Sequence, residues 1–279
     1  MTLEDVWEYA DKIGLIEGVE LLDHHVPDVK DGDLNAGIKL VKEQVESYGW
    51  ELYGLAPHPH LWRPTVKEQE AEVEKFKKWI DLAADNSVPS MRAQVGGDKS
   101  NIKDPNPTKG IEVAKKILDE VLPYAAECGV KIGIETHWSF SSNPVYLERV
   151  TEHYKDKFPG SLGIIFDWGN FPSKDLRYKA LEIAARPHNH CYSHTKIYRF
   201  GRNFQQWGIG GRRNYDSERI VQTFKKNGYK EYFSIEFEGS QSAFKGVYKS
   251  AHGVKYAMTD GEHTIHKCFN WKSYKKKYA

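Results

Sequence analysis

The run LGIIFDWGNF, residues 162–171, decides how the chain is read. Leu162 to Phe166 are apolar or glycine, the composition of a strand buried on both faces, and such strands belong to parallel sheets covered by helices. Asp167 then ends the apolar run without a turn residue to announce it. One acid at such a place commonly just opens a turn, so its meaning depends on how the other strands end.

Six further short runs have the same character: GVELL (18–22), WELYGLA (50–56), SMRAQV (90–95), KIGIET (131–136), HCYSHT (190–195) and YFSIEF (232–237). Between them lie segments of helical period such as VKEQEAEVEKFKKWIDLAADN and GIEVAKKILDEVLPYAAECG, and several of these end at glycine before the next strand. Strands alternating with helices predict an α/β fold with a parallel sheet. The chain also opens with a helix, LEDVWEYADKIG, and closes with another, FKGVYKSAHGVKYAM, giving eight helices around seven strands.

A (β/α)8 TIM barrel needs a strand ahead of its first helix. The expected fold is therefore such a barrel lacking or replacing its first strand. An upstream start, the C-terminal HTIHKCFNW or a partner chain would fill the gap, because open edge strands leave backbone groups unpaired. The 279 residues match the roughly 250-residue size of an α/β barrel and contain no linker or low-complexity tract. Residues 1–279 are read as one domain, with 258–279 as a C-terminal extension.

Lys plus Arg (40) and Asp plus Glu (39) nearly cancel, so there is no broad positive field and nucleic acid is not an expected partner. The basic run KSYKKK at 272–277 reads as a solvated tail. Cys128, Cys191 and Cys268 are odd in number and lack CxxC spacing, against both a disulfide framework and a cysteine zinc site. The amphipathic, acidic N-terminus is not a signal peptide, and no apolar run nears the ~18 residues of a membrane span. A cytoplasmic protein with no membrane partner is expected. A homo-oligomer or a partner subunit is the expected assembly, a dimer being the commonest kind.

In α/β barrels the chemistry sits at the C-terminal ends of the strands. There Glu135 ends KIGIE, Asp167 ends LGIIFD, His194 follows HCYS, and Glu236 ends YFSIE. Each is one strand, helix and set of loops from the next, so the four side chains should meet on one rim. Unneutralised, the carboxylates would repel by about 1 to 4 kcal/mol per pair at ~4 Å. One divalent cation removes that repulsion. Three hard oxygens and one imidazole suit Mn²⁺ best, with Mg²⁺ or Co²⁺ next, and lack the sulfur or multiple histidines that favour zinc.

GIETH, FDWGNF, SHTK and SIEFEG, together with ELYGLAPHP and RAQVGG, resemble motifs of the xylose isomerase-like barrels. The likeness is strongest to the sugar phosphate isomerase/epimerase group, which includes tagatose and allulose epimerases, inosose dehydratase and hydroxypyruvate isomerase, and it spans essentially the whole chain. It implies Glu135, Asp167, His194 and Glu236 as metal ligands, the two glutamates as an acid/base pair, and a small sugar as the partner. The family's His-x-Lys-Asp reads His194, Thr195, Lys196, Ile197 here, so its Asp is absent. The loop from Tyr198 to Tyr215, carrying Arg199, Arg202, Arg212 and Arg213, has no counterpart in the family pattern.

These features give the expectation of a metal-dependent sugar isomerase or epimerase that removes a proton next to a carbonyl and passes through an enediolate. His137, two residues past Glu135, is a hydrogen-bonding group or second base, and Lys196 stands in the same relation to His194. His58, Arg92, Asn170 and Arg199 are candidates for contact with substrate hydroxyls. Trp138 and Trp168 could stack on a sugar face, and one of His24 and His25 could reach the rim. A lyase or dehydratase with His137 as leaving-group acid is the first rival, and a non-catalytic sugar-binding subunit another. A three-zinc DNA-repair endonuclease is disfavoured by Gln94, by Asn170 and by the lack of an Asp-x-His pair after His194.

Overall fold

The computed structural model describes residues 2–29, 32–197, 199–200, 206–207, 214–240 and 242–259. Seven strands among them form one wholly parallel sheet in sequential order: β1 (Gly18–Leu22), β2 (Glu51–Ala56), β3 (Ser90–Ala93), β4 (Lys131–Glu135), β5 (Leu162–Asp167), β6 (His190–Ile197) and, after three short strands, β10 (Phe233–Phe237). The helices are α1 (Leu3–Ile13), α2 (Leu34–Ser47), α3 (Val66–Asp85), α4 (Thr108–Glu127), α5 (Pro144–Tyr154), α6 (Lys174–Ala184), α7 (Ser217–Lys226) and α8 (Ala243–Met258). All residues of β5 are buried, as its apolar composition predicts, and β4 runs against it with Gly133 opposite Gly163. A Cβ on Gly133 would lie 2.5 Å from Ile165 Cγ1, so only glycine lets the branched side chain of β5 fill the barrel interior there.

Helix starts follow local chemistry. Thr2 and Thr65 open α1 and α3 with reciprocal capping boxes to Asp5 and Glu68, and Asn143 caps α5 ahead of Pro144. The inner faces of the helices then cover the sheet: Ile38, Val41 and Val45 from α2, Phe76 and Ile80 from α3, and Ile117 and Val121 from α4 are all buried. Phe76 is fully enclosed, so Phe76→Ala should cost about 3–5 kcal/mol of stability, measurable by denaturant unfolding. A change below about 1 kcal/mol would show that this side of the core collapses readily around a void.

Among the described residues the barrel is left open on one side. No ladder joins β1 to β10 among the described residues, and the seam between them holds a cavity of about 1150 Å³ whose walls include Trp7, Val19, Tyr232, Ile235 and Val254. Residues 3–13 are helical, so the first strand is missing where the sequence predicts. HTIHKCFNW, a candidate filler, lies outside the described residues. Side chains bridge the seam instead. The Tyr9 hydroxyl of α1 donates to the carbonyl of Phe244 in α8, with the two rings edge to face at 4.6 Å. Tyr53 and Tyr232 stack across it at 4.2 Å.

Part of the loop after β6 forms a small antiparallel sheet of β7 (Arg199–Phe200), β8 (Gln206–Trp207) and β9 (Asn214–Tyr215), which the sequence reading did not anticipate. The side chain of Arg199, and Arg202, Arg212 and Arg213 altogether, lie outside the described residues. No helix among the described residues is long and apolar enough to cross a membrane.

Candidate active site

Parallel register carries the strand-end residues to one place. Asp167 in β5 pairs with His194 in β6, and Glu236 in β10 pairs with Lys196 in β6. Glu135, Asp167, His194 and Glu236 each offer one ligand atom, and these atoms all lie within 4.8 Å of one another. Glu135, Asp167 and His194 are buried, whereas the Glu236 side chain is 33% exposed. His194 Nδ1 sits 3.2 Å from Glu135 Oε1 and 3.8 Å from Glu236 Oε2.

The acids are held from behind. The backbone N–H of Gly169 donates to Asp167 Oδ1 at 2.7 Å and Asn170 Nδ2 donates to Oδ2 at 2.6 Å, so DWGN forms a cradle for its own carboxylate. Gly169 permits this because a Cβ there would lie 2.9 Å from Lys196 Cγ. Lys196 Nζ stands 3.0 Å from Glu236, 3.2 Å from Glu238 and 3.5 Å from Asp167. Arg92 Nη1 is 3.3 Å from Glu135 Oε2, and the guanidinium is fixed by the carbonyls of Ala56 and Pro57. Arg92 and Asn170 thus brace the acids.

Two further groups stand at the rim. His58 Nδ1 is 2.7 Å from Asp23 Oδ2, and its Nε2 is 3.2 Å from Arg92 Nη2. His24 stands beside the same aspartate, while His25 lines the seam. His137 is exposed, yet its charge acts on Glu135. Trp138 is half-buried at φ 57° and Ser139 follows at φ 54°, two strained residues directly beyond β4. Trp168 does not face the pocket: it is fully buried, donates from Nε1 to Ser193 Oγ at 2.9 Å and packs on Phe233. Stacking on a sugar is therefore not open to Trp168, because the strand turns that indole outward to the helices.

The sequence reading missed Glu20. It comes from the middle of β1, its side chain is 7% exposed, and its Oε2 lies 2.8 Å from His194 Nε2. The signal was available: an acid at the centre of the apolar run GVELL has to be paired if the strand is buried.

Electrostatics separates the two glutamates. Burial works against ionisation of Glu135, but the hydrogen bond from His194 and the charge of Arg92 outweigh it and hold the carboxyl well below the usual range. Glu236 is pushed up to about 8, by burial first and then by the neighbouring Asp167 charge. Burial also raises Asp167, against the pull of Lys196. For His194, burial is outweighed by the charge of Glu20 and the hydrogen bond to Glu135, which raise it well above the ordinary imidazole value. Carboxylates driven apart in this way suit opposite roles in proton transfer.

The residues fit a divalent ion on two counts. Glu236 Oε2 is a buried oxygen that accepts no hydrogen bond, and Glu135 Oε2 is met only by the ion pair with Arg92. Glu20, Glu135, Asp167, Glu236 and Glu238 also outnumber the cations Arg92 and Lys196, an excess of negative charge that a divalent ion would reduce when His194 is neutral.

Residues 7–258 match the family model described as Xylose isomerase-like TIM barrel. No curated protein matches the chain. Among solved structures, a D-tagatose 3-epimerase-like protein superposes with a TM-score of 0.66 at 17% identity over 88% of this chain and 89% of its own. The IolI protein, in a structure with a bound zinc atom, gives 0.63 at 15% identity over 95% of each chain. Mannonate dehydratase from Streptococcus suis serotype 2 gives 0.61 at 15% identity over 95% of this chain and 93% of its own. At these identities the likeness carries the fold.

Proposed function

Because the chain belongs to the xylose isomerase-like TIM barrel family, we propose that it is a metal-dependent isomerase or epimerase of a small sugar. The observation that carries this reading is the convergence of three carboxylates and one imidazole within 4.8 Å, with the buried Glu236 Oε2 accepting no hydrogen bond. Glu135, Asp167, His194 and Glu236 would hold the ion, with Mn²⁺ preferred for the hard oxygen set and Mg²⁺ or Co²⁺ close behind. When bound, the ion polarises a substrate carbonyl as a Lewis acid.

The remaining work falls to side chains. Glu135 and Glu236 come from β4 and β10 and approach the cluster from different sides, so one can take a proton from the carbon beside the carbonyl and the other can return it. Lys196, held between Asp167 and Glu236, places a positive charge beside the enediolate oxygens. Arg92 and Asn170 keep Glu135 and Asp167 oriented, and His58, His137 and Trp138 ring the opening where substrate hydroxyls would lie. Incubating the Mn²⁺-loaded protein with a panel of ketoses and separating the products tests this directly, since isomers conserve mass. A product lighter by one water would favour a lyase or dehydratase. In that second reading His137, exposed two residues past Glu135, would supply the acid for the leaving hydroxyl. Absence of both turnover and metal binding would leave a sugar-binding subunit.

Metal affinity should depend on pH in a particular way. In the metal-free protein His194 and Glu236 both retain protons near neutrality, and both protons must leave when these groups become ligands. Affinity for Mn²⁺ should therefore rise with pH. It should rise about tenfold more per unit below about 8, where Glu236 is still protonated, than above it. Calorimetric titrations from pH 6 to 9 check this, and a profile with no change of slope would contradict the assignment of Glu236 as a ligand.

A further inference from the structure

We infer that Glu20 is a positioning residue of the metal centre, a carboxylate that fixes the His194 ring so that Nδ1 faces Glu135 and Glu236. This rests on the reading of those four residues as metal ligands and adds a fifth residue behind them. Three donors converge on the Glu20 carboxylate. The Tyr192 hydroxyl donates to Oε1 at 2.7 Å, while His194 Nε2 at 2.8 Å and Ser234 Oγ at 3.1 Å meet Oε2. Tyr192 and His194 belong to β6 and Ser234 to β10, where it pairs in register with His194. One side chain from β1 thus ties together both strands on the far side of the seam.

A purely structural role does not account for an acid here. Burying a carboxylate is costly, and a well-packed apolar residue at such a place is commonly as stable or more so. What the carboxylate supplies and an apolar side chain does not is a charged acceptor at Nε2. An imidazole binds a metal through one nitrogen, and the hydrogen bond made by the other selects which one and how the ring is turned. With Nε2–H held by Glu20, the ring presents Nδ1 to the cluster, 3.2 Å from Glu135 Oε1. The negative charge of Glu20 also makes that nitrogen a stronger donor to a cation.

The test is a double-mutant cycle read by calorimetric titration of the metal-free protein with Mn²⁺. Glu20→Gln keeps the shape and removes the charge, and it should weaken binding by about 10- to 100-fold, the range for loss of an outer partner of a ligating histidine. In a His194→Ala background the same change should cost less than about threefold, since Glu20 acts through the ring; a general packing defect would cost the same in both. Wild-type affinity in Glu20→Gln, or an equal loss in both backgrounds, overturns the inference while leaving the metal centre intact. If wild type takes up no Mn²⁺, or His194→Ala binds it as wild type does, the metal-centre reading fails and this inference with it. A measurement on the unaltered chain guards against a variant that does not fold. In the Mg²⁺-loaded, [¹⁵N]histidine-labelled protein, the His194 ring should carry its proton on Nε2, and a proton on Nδ1 overturns the proposal.

Discussion

Glu236→Gln should lower turnover of a true ketose substrate by about 10² to 10⁴, the usual range for a positioned acid or base. In D₂O the wild-type protein should place solvent deuterium on the reacting carbon, and the variant should lose this exchange. The substitution is a narrow one, because an amide still offers an oxygen to a cation but has no carboxylate to accept a proton. The loss of exchange should therefore exceed whatever loss of metal affinity accompanies it, which titration of the same variant measures separately. In the metal-free protein Glu236 is the member of the pair pushed up to about 8, whereas Glu135 is held well below the usual carboxylate range, so the two start the cycle unequally disposed to carry a proton. Product formed without deuterium in a single turnover would instead indicate a hydride shift between carbons. The glutamates would then serve as ligands only.

Asp167→Asn should have the largest effect on the metal itself, weakening Mn²⁺ binding by more than the ~10- to 100-fold that loss of an outer partner costs. The carboxylate is fully buried and sits at the centre of the cluster, with donors at both oxygens: Gly169 N–H at 2.7 Å and Asn170 Nδ2 at 2.6 Å. An amide removes the negative charge and sets an N–H₂ group against either the Gly169 N–H or Asn170 Nδ2, so one donor faces another. Mn²⁺ affinity within tenfold of wild type would remove Asp167 from the ligand set.

How much of this could be read from sequence depended on whether a residue's role is local. β5 announces itself through five apolar or glycine residues, and Glu135, Asp167, His194 and Glu236 are fixed in place by lying at or near the C-terminal ends of four neighbouring strands of one parallel sheet. The missing first strand was equally legible, because helix-first order is a matter of counting elements. Glu20 escaped notice because it lies mid-strand, and only the barrel's curvature brings it to His194, 174 residues away. For Trp168 the sequence leaves stacking on a sugar and packing against a helix both open, and strand alternation turns it to the face opposite Asp167. Arg92 and Asn170 were read as substrate contacts, since a side chain's partner across the barrel depends on register that no single strand reveals.

The open seam also decides the order in which the molecule can assemble. Each strand from β1 to β5 pairs with its successor in sequence, so most of the sheet can grow by one local strand addition after another. Joining Tyr9 to Phe244 closes a loop of 235 residues, at an entropic cost of about 5 kcal/mol beyond a constant term. In a closed barrel a hydrogen-bonded ladder would help offset that cost, but here side chains of α1, α8, β1, β6 and β10 must do so. The bonds from Glu20 to Tyr192, His194 and Ser234 belong to that final step. Glu135, Asp167, His194 and Glu236 come from neighbouring strands that do not need the seam, so only the tightening that Glu20 would lend to His194 waits on closure, and full Mn²⁺ affinity should lag behind the return of helical structure.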